Sequence, residues 1–155
     1  MEVNVLYNEN CFETFKRIDD KSIDMILCDL PYGVTARNEW DSIIPIDHLW
    51  QQYKLLIKNN GVIVLTAMQP FTSWLVISNL DMFKYEWIWE KPRSSGFLNS
   101  KKQPLRNHES VLVFYSNQPT YNPQFTAGKP YSFTSGHESL NYGKQVSVKV
   151  ENNGF

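Results

Sequence analysis

Asp29-Leu30-Pro31-Tyr32 closes an apolar run, Ile23-Asp24-Met25-Ile26-Leu27-Cys28, and Gly33 turns the backbone directly after it. A carboxylate, neighbouring backbone carbonyls and an aromatic ring, delivered together, can hold a flat heterocycle that carries an exocyclic amine. The carboxylate accepts one N–H, a carbonyl accepts the other, and the ring stacks on the heterocycle's face. The run before Asp29 reads as a buried strand, and ligands of open α/β sheets bind at the carboxyl ends of strands. The residues therefore point to a nucleobase as ligand.

A second group of residues is electrostatic. Residues 1–50 hold ten acids and four bases, whereas residues 51–155 hold six acids and eleven bases. Lys91, Arg93, Lys101, Lys102 and Arg106 fall within sixteen residues that contain no acid. Such a segment can meet phosphates, and a solvated loop is the plain alternative. His108-Glu109 has acid/base character, but His48 and His137 do not stand at ligand spacing from it, so no metal site is expected. Cys11 and Cys28 are the only cysteines, too few for a disulfide scaffold or a thiolate zinc site. Cys28 reads as a buried free thiol.

Several elements must position these groups. Residues 3–7 alternate enough for a short strand. Asn10 suits a helix cap, with Glu13 three residues on and Phe12, Phe15 and Ile18 along one face. Residues 23–28 form the next strand. Pro45 suits the first turn of a helix whose apolar stripe is Ile46, Leu49, Trp50, Tyr53, Leu56 and Ile57. Asn59-Asn60-Gly61 is read as its end, and residues 61–66 as an apolar, central strand. Pro70 opens a helix to about residue 80. Residues 83–90 alternate as a strand, with Phe83, Tyr85, Trp87 and Trp89 on one face. Those aromatics and Trp74 read as core. A polar loop is expected over 92–107, then a strand at 110–115. No helix fits between the last two strands, so they can pair antiparallel. Beyond 116 only residues 145–150 show a strand-like period. The order of elements is that of an α/β fold.

The length suits one domain with a real core. No apolar run approaches the roughly 20 residues of a membrane span. Met1-Glu2-Val3-Asn4-Val5 lacks the basic start and apolar stretch of a signal peptide. A cytoplasmic protein without a membrane partner is the simplest reading.

Four segments, in order, resemble the DNA amino-methyltransferases, specifically the adenine-N6 kind with the permuted, β-type motif order. Asp29-Leu30-Pro31-Tyr32 is similar to that family's Asp-Pro-Pro-Tyr motif at a strand end. Residues 61–66 with Gln69-Pro70-Phe71 resemble the strand and helix start that follow it. Trp87-Ile88-Trp89-Glu90-Lys91 resembles a strand ending in Trp and Lys, and residues 107–114 resemble the His-Glu segment leading into the last strand. The resemblance covers about residues 3–125. It implies a Rossmann-like S-adenosylmethionine-dependent methyltransferase sheet, with residues 1–115 as its catalytic half. Residues 116–155 would then begin a target-recognition region or form a loop-rich tail.

The resemblance further implies that an adenine is flipped out of double-stranded DNA into a pocket. Asp29 and the carbonyl of Leu30 would accept the two N6 protons, Pro31 would fix the turn, and Tyr32 would stack on the base. S-adenosylmethionine would give the methyl group, with Asp29 also contacting this cofactor. An Asp at the first motif position, where Ser would suggest cytosine N4, favours adenine. Lys91, Arg93, Lys101, Lys102 and Arg106 become expected DNA contacts, and Arg37, Asn38 and Trp40 are placed to touch DNA or close over the pocket.

Two departures stand out. Leu30 replaces a Pro, which leaves its carbonyl but frees the backbone. The sequence also contains no Phe-x-Gly-x-Gly segment, and Gly128, Gly136, Gly143 and Gly154 follow no strand-to-helix pattern. The expectation is a partial chain, whose cofactor site is supplied by a further C-terminal region or a second chain and which binds S-adenosylmethionine weakly or not at all alone. A non-catalytic nucleic-acid-binding remnant, and an enzyme acting on RNA or on cytosine N4, are the alternatives.

Overall fold

The computed structural model describes residues 2–33, 41–135 and 148–152. Asn10 caps α1 (Cys11–Phe15): its side chain accepts the Phe12 backbone N–H at 2.9 Å. Ahead of it, residues 2–10 form no strand, against the expectation for 3–7, and Val3 and Leu6 point their apolar side chains into solvent. Alternation there meets no neighbouring strand among the described residues.

After α1 come β1 (Ile23–Asp29), α2 (Ile46–Leu56), β2 (Ile57–Ala67), α3 (Phe71–Ser78), β3 (Phe83–Ser95) and β4 (Arg106–Phe114). One sheet contains these four strands in the order β1-β2-β4-β3, so β2 is internal as expected and β1 lies at an edge. β1 runs parallel to β2, whereas β4 is antiparallel to both β2 and β3. The sheet is mixed and the fold is α/β.

Two boundaries differ from the sequence reading. Asn59, Asn60 and Gly61 lie inside β2 rather than ending a helix, because Ile57 is already extended (ψ 135°) while its N–H closes the last helical turn on the Tyr53 carbonyl. Lys58 then reaches Asp24 on β1 at 2.7 Å. Gly61 is required by close approach: a Cβ there would stand 2.7 Å from Ile57 Cγ1 and 2.9 Å from the Asp24 carbonyl. The second difference is the expected loop at 92–107. β3 continues to Ser95 and β4 begins at Arg106, because cross-strand pairing at Glu90↔His108 and Ser95↔Arg106 satisfies the backbone whatever the side chains. Only residues 96–105 connect the two strands, through a 3-10 turn at Phe97–Asn99.

Register decides which side chains meet. Ile63 lies opposite Phe114, and Leu65 lies opposite both Cys28 and Leu112, so these share one sheet face. The buried cluster joins that face to Leu49, Trp50 and Tyr53 of α2 and to Phe71 and Leu75 of α3. Trp50 can be buried there because its indole N–H donates to Ser78 Oγ at 2.8 Å. The opposite face carries Leu27, Val64, Val113 and Tyr85 in one row and Asp29, Thr66, Val111 and Trp87 in the next. Leu27 is 67% exposed and Trp87 51%. The aromatics read as core are thus divided: Phe83 packs against the cluster, while Trp74, Trp87 and Trp89 are exposed. Cys28 is free but half-buried rather than buried, since it lies on the edge strand. No helix among the described residues is long and apolar enough to cross a membrane.

The chain divides into two compact units, Met1–Thr120 and Tyr121–Phe155. In the second, β5 (Tyr131–Ser135) pairs antiparallel with β6 (Val148–Asn152), and the rings of Tyr131 and Phe133 stack at 6.0 Å. Residues 145–147, His137, Gly136, Gly143 and Gly154 lie outside the described residues.

Candidate active site

β1 ends on Asp29, and its parallel partner places Thr66 directly opposite. The chain then leaves the sheet through Leu30, whose side chain is buried in the core and anchors the turn, while Pro31 and Tyr32 are half-buried. Gly33 follows with φ +69°, and its N–H donates to Asp41 Oδ1 at 2.9 Å. Leaving the strand in this way swings Tyr32 back over the strand end.

The Tyr32 hydroxyl donates to Asp29 Oδ1 at 2.6 Å and lies 2.8 Å from Thr66 Oγ1. Thr66 Oγ1 also donates to Asp29 Oδ1. Both hydroxyl bonds fall on the same carboxylate oxygen; among the described residues none falls on Oδ2. The Tyr32 ring leans on Phe71, with centroids 5.3 Å apart and planes 31° from parallel. Burial first, and then the bond to Asp29, push the Tyr32 phenol above its ordinary range. It therefore stays protonated and remains a donor at neutral pH. The arrangement can accept a proton-bearing nitrogen at Asp29 and offer a ring beside it.

Further along the sheet, Lys91 on β3 pairs with Glu109 on β4 and sits 5.5 Å from the centroid of the Trp89 ring. Glu109 is close enough to Tyr32 to help raise its phenol. Lys91 is thus engaged by a carboxylate. His108 and Glu109 lie within β4 rather than in a loop ahead of it. Arg93, Lys101, Lys102 and Arg106 are all exposed: Arg93 is on β3, the two lysines are in the connection, and Arg106 opens β4. The β3–β4 hairpin therefore carries all four at its far end. Arg37, Asn38 and Trp40 lie outside the described residues.

Sequence reasoning gave no role to Thr66 or Phe71, and read Glu109 only together with His108, not as the partner of Lys91. Thr66 had a legible signal, a polar residue ending an apolar strand as Asp29 does. Its pairing with Asp29 depends on a register across 37 residues of chain, which local patterns do not carry.

No protein-family model matches the chain. It is 23% identical over 147 residues to the type II methyltransferase M1.MboII of Moraxella bovis, covering 86% of this chain and 54% of that protein. It is 34% identical over 112 residues to the type II methyltransferase M2.MboI of Moraxella bovis, covering 56% and 41%. The chain thus spans about half the length of the curated relatives it matches. Among solved structures, the M1.HpyAVI–SAM complex superposes with a TM-score of 0.56 at 20% identity, over 76% of this chain and 57% of that one. The cytosine-N4-specific PvuII DNA methyltransferase superposes at 0.54 and 14% identity, over 73% and 49%.

Proposed function

We propose that this chain, a homologue of the type II methyltransferases with their α/β fold, is the base-binding, catalytic part of an S-adenosylmethionine-dependent DNA methyltransferase. Its target is the N6 amine of an adenine flipped out of the duplex. The observation that carries this reading is the cluster at the carboxyl end of β1. There a carboxylate with one engaged oxygen, the Tyr32 ring and the Leu30 backbone converge at one sheet edge.

In this reading the amine gives one N–H to Asp29 and the other to the Leu30 carbonyl. The shared pull draws the nitrogen lone pair out of the ring and toward the methyl donor. Tyr32, held by its hydroxyl and backed by Phe71, stacks on the extruded base. Placement and hydrogen-bond polarisation supply the catalysis, with no covalent enzyme intermediate. The exposed bases Arg93, Lys101, Lys102 and Arg106 lie on the hairpin beside the strands that carry the site and meet DNA phosphates. Lys91, already bound to Glu109, orders that hairpin.

S-adenosylmethionine supplies an electrophilic methyl group when bound. The described residues fit only part of its site: Asp29 offers a polar contact, and no glycine-rich strand-to-helix turn adjoins β1. Among the described residues β1 has a strand on one side only, and Met25 and Leu27 stay largely exposed on it. Unblunted apolar edges of this kind are templates for further pairing. Polypeptide supplied beside β1, by another region or another chain, completes the cofactor site.

The test is transfer of labelled methyl from S-adenosylmethionine to mixed-sequence duplex DNA, by the chain alone and with such a region supplied. Nucleoside analysis of the product is expected to give N6-methyladenine. Asp29→Ala is expected to abolish transfer while leaving the circular dichroism spectrum unchanged. Transfer retained in that variant refutes the role of Asp29, and N4-methylcytosine as product refutes the choice of adenine.

A further inference from the structure

We propose that Thr66 is a positioning residue that fixes which oxygen of Asp29 meets the incoming amine. This rests on the methyltransferase reading above and deepens it. A carboxylate at the end of a strand turns easily about its last torsion, because such sp³–sp² torsions have broad wells. Left alone, Asp29 would present either oxygen. Here two hydroxyls, those of Tyr32 and Thr66, converge on Oδ1, so that Oδ2 is the oxygen left for a ligand.

The two donors are not equivalent. Tyr32 sits in the turn beyond β1. Thr66 sits on an internal strand, paired to Asp29 on one side and Val111 on the other. Its branched side chain is also stiff at χ1. Thr66 is therefore the rigid member, and the Tyr32 hydroxyl, which donates to the same Oδ1, lies 2.8 Å from Thr66 Oγ1. One threonine thereby sets the direction of the acceptor. A valine has the same shape without the donor, and a serine keeps the donor without the extra methyl group.

The experiment compares wild type with Thr66→Val and Thr66→Ser. Crystal structures of the three proteins without ligand report the plane of the Asp29 carboxylate. Wild type and Thr66→Ser are expected to share one orientation, and Thr66→Val to show it rotated or spread over several. In whichever form transfers methyl groups, Thr66→Val should lower kcat by roughly 10- to 100-fold, the effect of one hydrogen bond to a charged group. KM for DNA should stay within about twofold, and Thr66→Ser should restore most of the rate.

The wild-type carboxylate orientation, kept in Thr66→Val, would overturn the proposal. So would a loss in Thr66→Val that appears only in KM, or that Thr66→Ser fails to rescue. If no form transfers methyl groups, or Asp29→Ala transfers them normally, the functional reading fails, while the carboxylate orientation still decides whether Thr66 orders Asp29.

Discussion

Gly33→Ala tests whether the turn after Tyr32 is as constrained as its geometry indicates. Gly33 has φ +69°, where a side chain costs about 1–2 kcal/mol in an L-residue. A Cβ there would also stand 2.8 Å from Ile43 Cγ1 and 3.1 Å from Ile43 Cδ1. Forcing a methyl group into occupied space costs about 1–3 kcal/mol. Ile43 is 51% exposed and can move outward, which sets the steric part near the low end of that range. The total is about 2–4 kcal/mol, a large share of the ~5–15 kcal/mol that holds a domain folded. Urea unfolding followed by tryptophan fluorescence measures it, since Trp50 is buried in the core. The midpoint should fall by roughly 1–2 M with an unchanged slope.

A double-mutant cycle separates the two contributions. Ile43→Ala removes both atoms that the new methyl group would meet, so the pair Gly33→Ala/Ile43→Ala should recover the steric part and retain the backbone part. A coupling of about 1 kcal/mol or more is expected. A Gly33→Ala cost below ~0.5 kcal/mol, or a coupling near zero, refutes the reasoning.

Three further outcomes are expected. Leu65→Ala, at a fully buried position of the internal strand, should cost about 2–5 kcal/mol in the same urea experiment. A cycle on Lys91 and Glu109, whose side chains are 31% and 12% exposed, should give a coupling of about 1–2 kcal/mol. The same cycle on Lys16 and Glu13, 66% and 58% exposed, should give at most ~0.5 kcal/mol. Burial, and then the neighbouring Cys28, raise the Tyr53 phenol in the folded chain above its ordinary value of about 10. The unfolded chain therefore loses that proton first, so this contribution to stability is complete below about pH 10 and declines above it. Urea midpoints at about pH 9 and pH 11 should differ less in Tyr53→Phe than in wild type.

Asp29 was legible because a charged residue ending an apolar strand breaks the strand's own pattern. The helix starts after Pro45 and Pro70, and the Asn10 cap, were legible for a similar reason, since one residue type does one local job. What failed was whatever depends on a partner far along the chain. Asn59-Asn60-Gly61 carries the composition of a stop, yet it lies within the strand between Ile57 and Val62, which pair with Ile23 and Met25 of β1. The polar stretch after Glu90 looks like loop, yet Ser95 pairs with Arg106 of β4 and carries the hairpin past it. Residues 3–7 alternate, yet no strand among the described residues receives them. The alternation at 83–89 put Phe83, Tyr85, Trp87 and Trp89 on one face, but a register shift between Phe83 and Tyr85 leaves Phe83 on the core face and turns Tyr85 and Trp87 to the other, and Trp87 and Trp89 are exposed. Thr66 escaped for the same reason, since its role exists only through the register that sets it opposite Asp29.

No linker separates α2 from β2. Leu56 ends the helix and Ile57 begins the strand, so the distance along the chain from the helix to Thr66 works as a ruler. One residue added within β2 would turn Thr66 to the other sheet face, away from Asp29. One residue added at the end of α2 would rotate its apolar stripe by about 100° relative to the strand it feeds. Residues 96–105, which only join β3 to β4, carry no such constraint, and length variation among related chains should concentrate there and avoid 46–66.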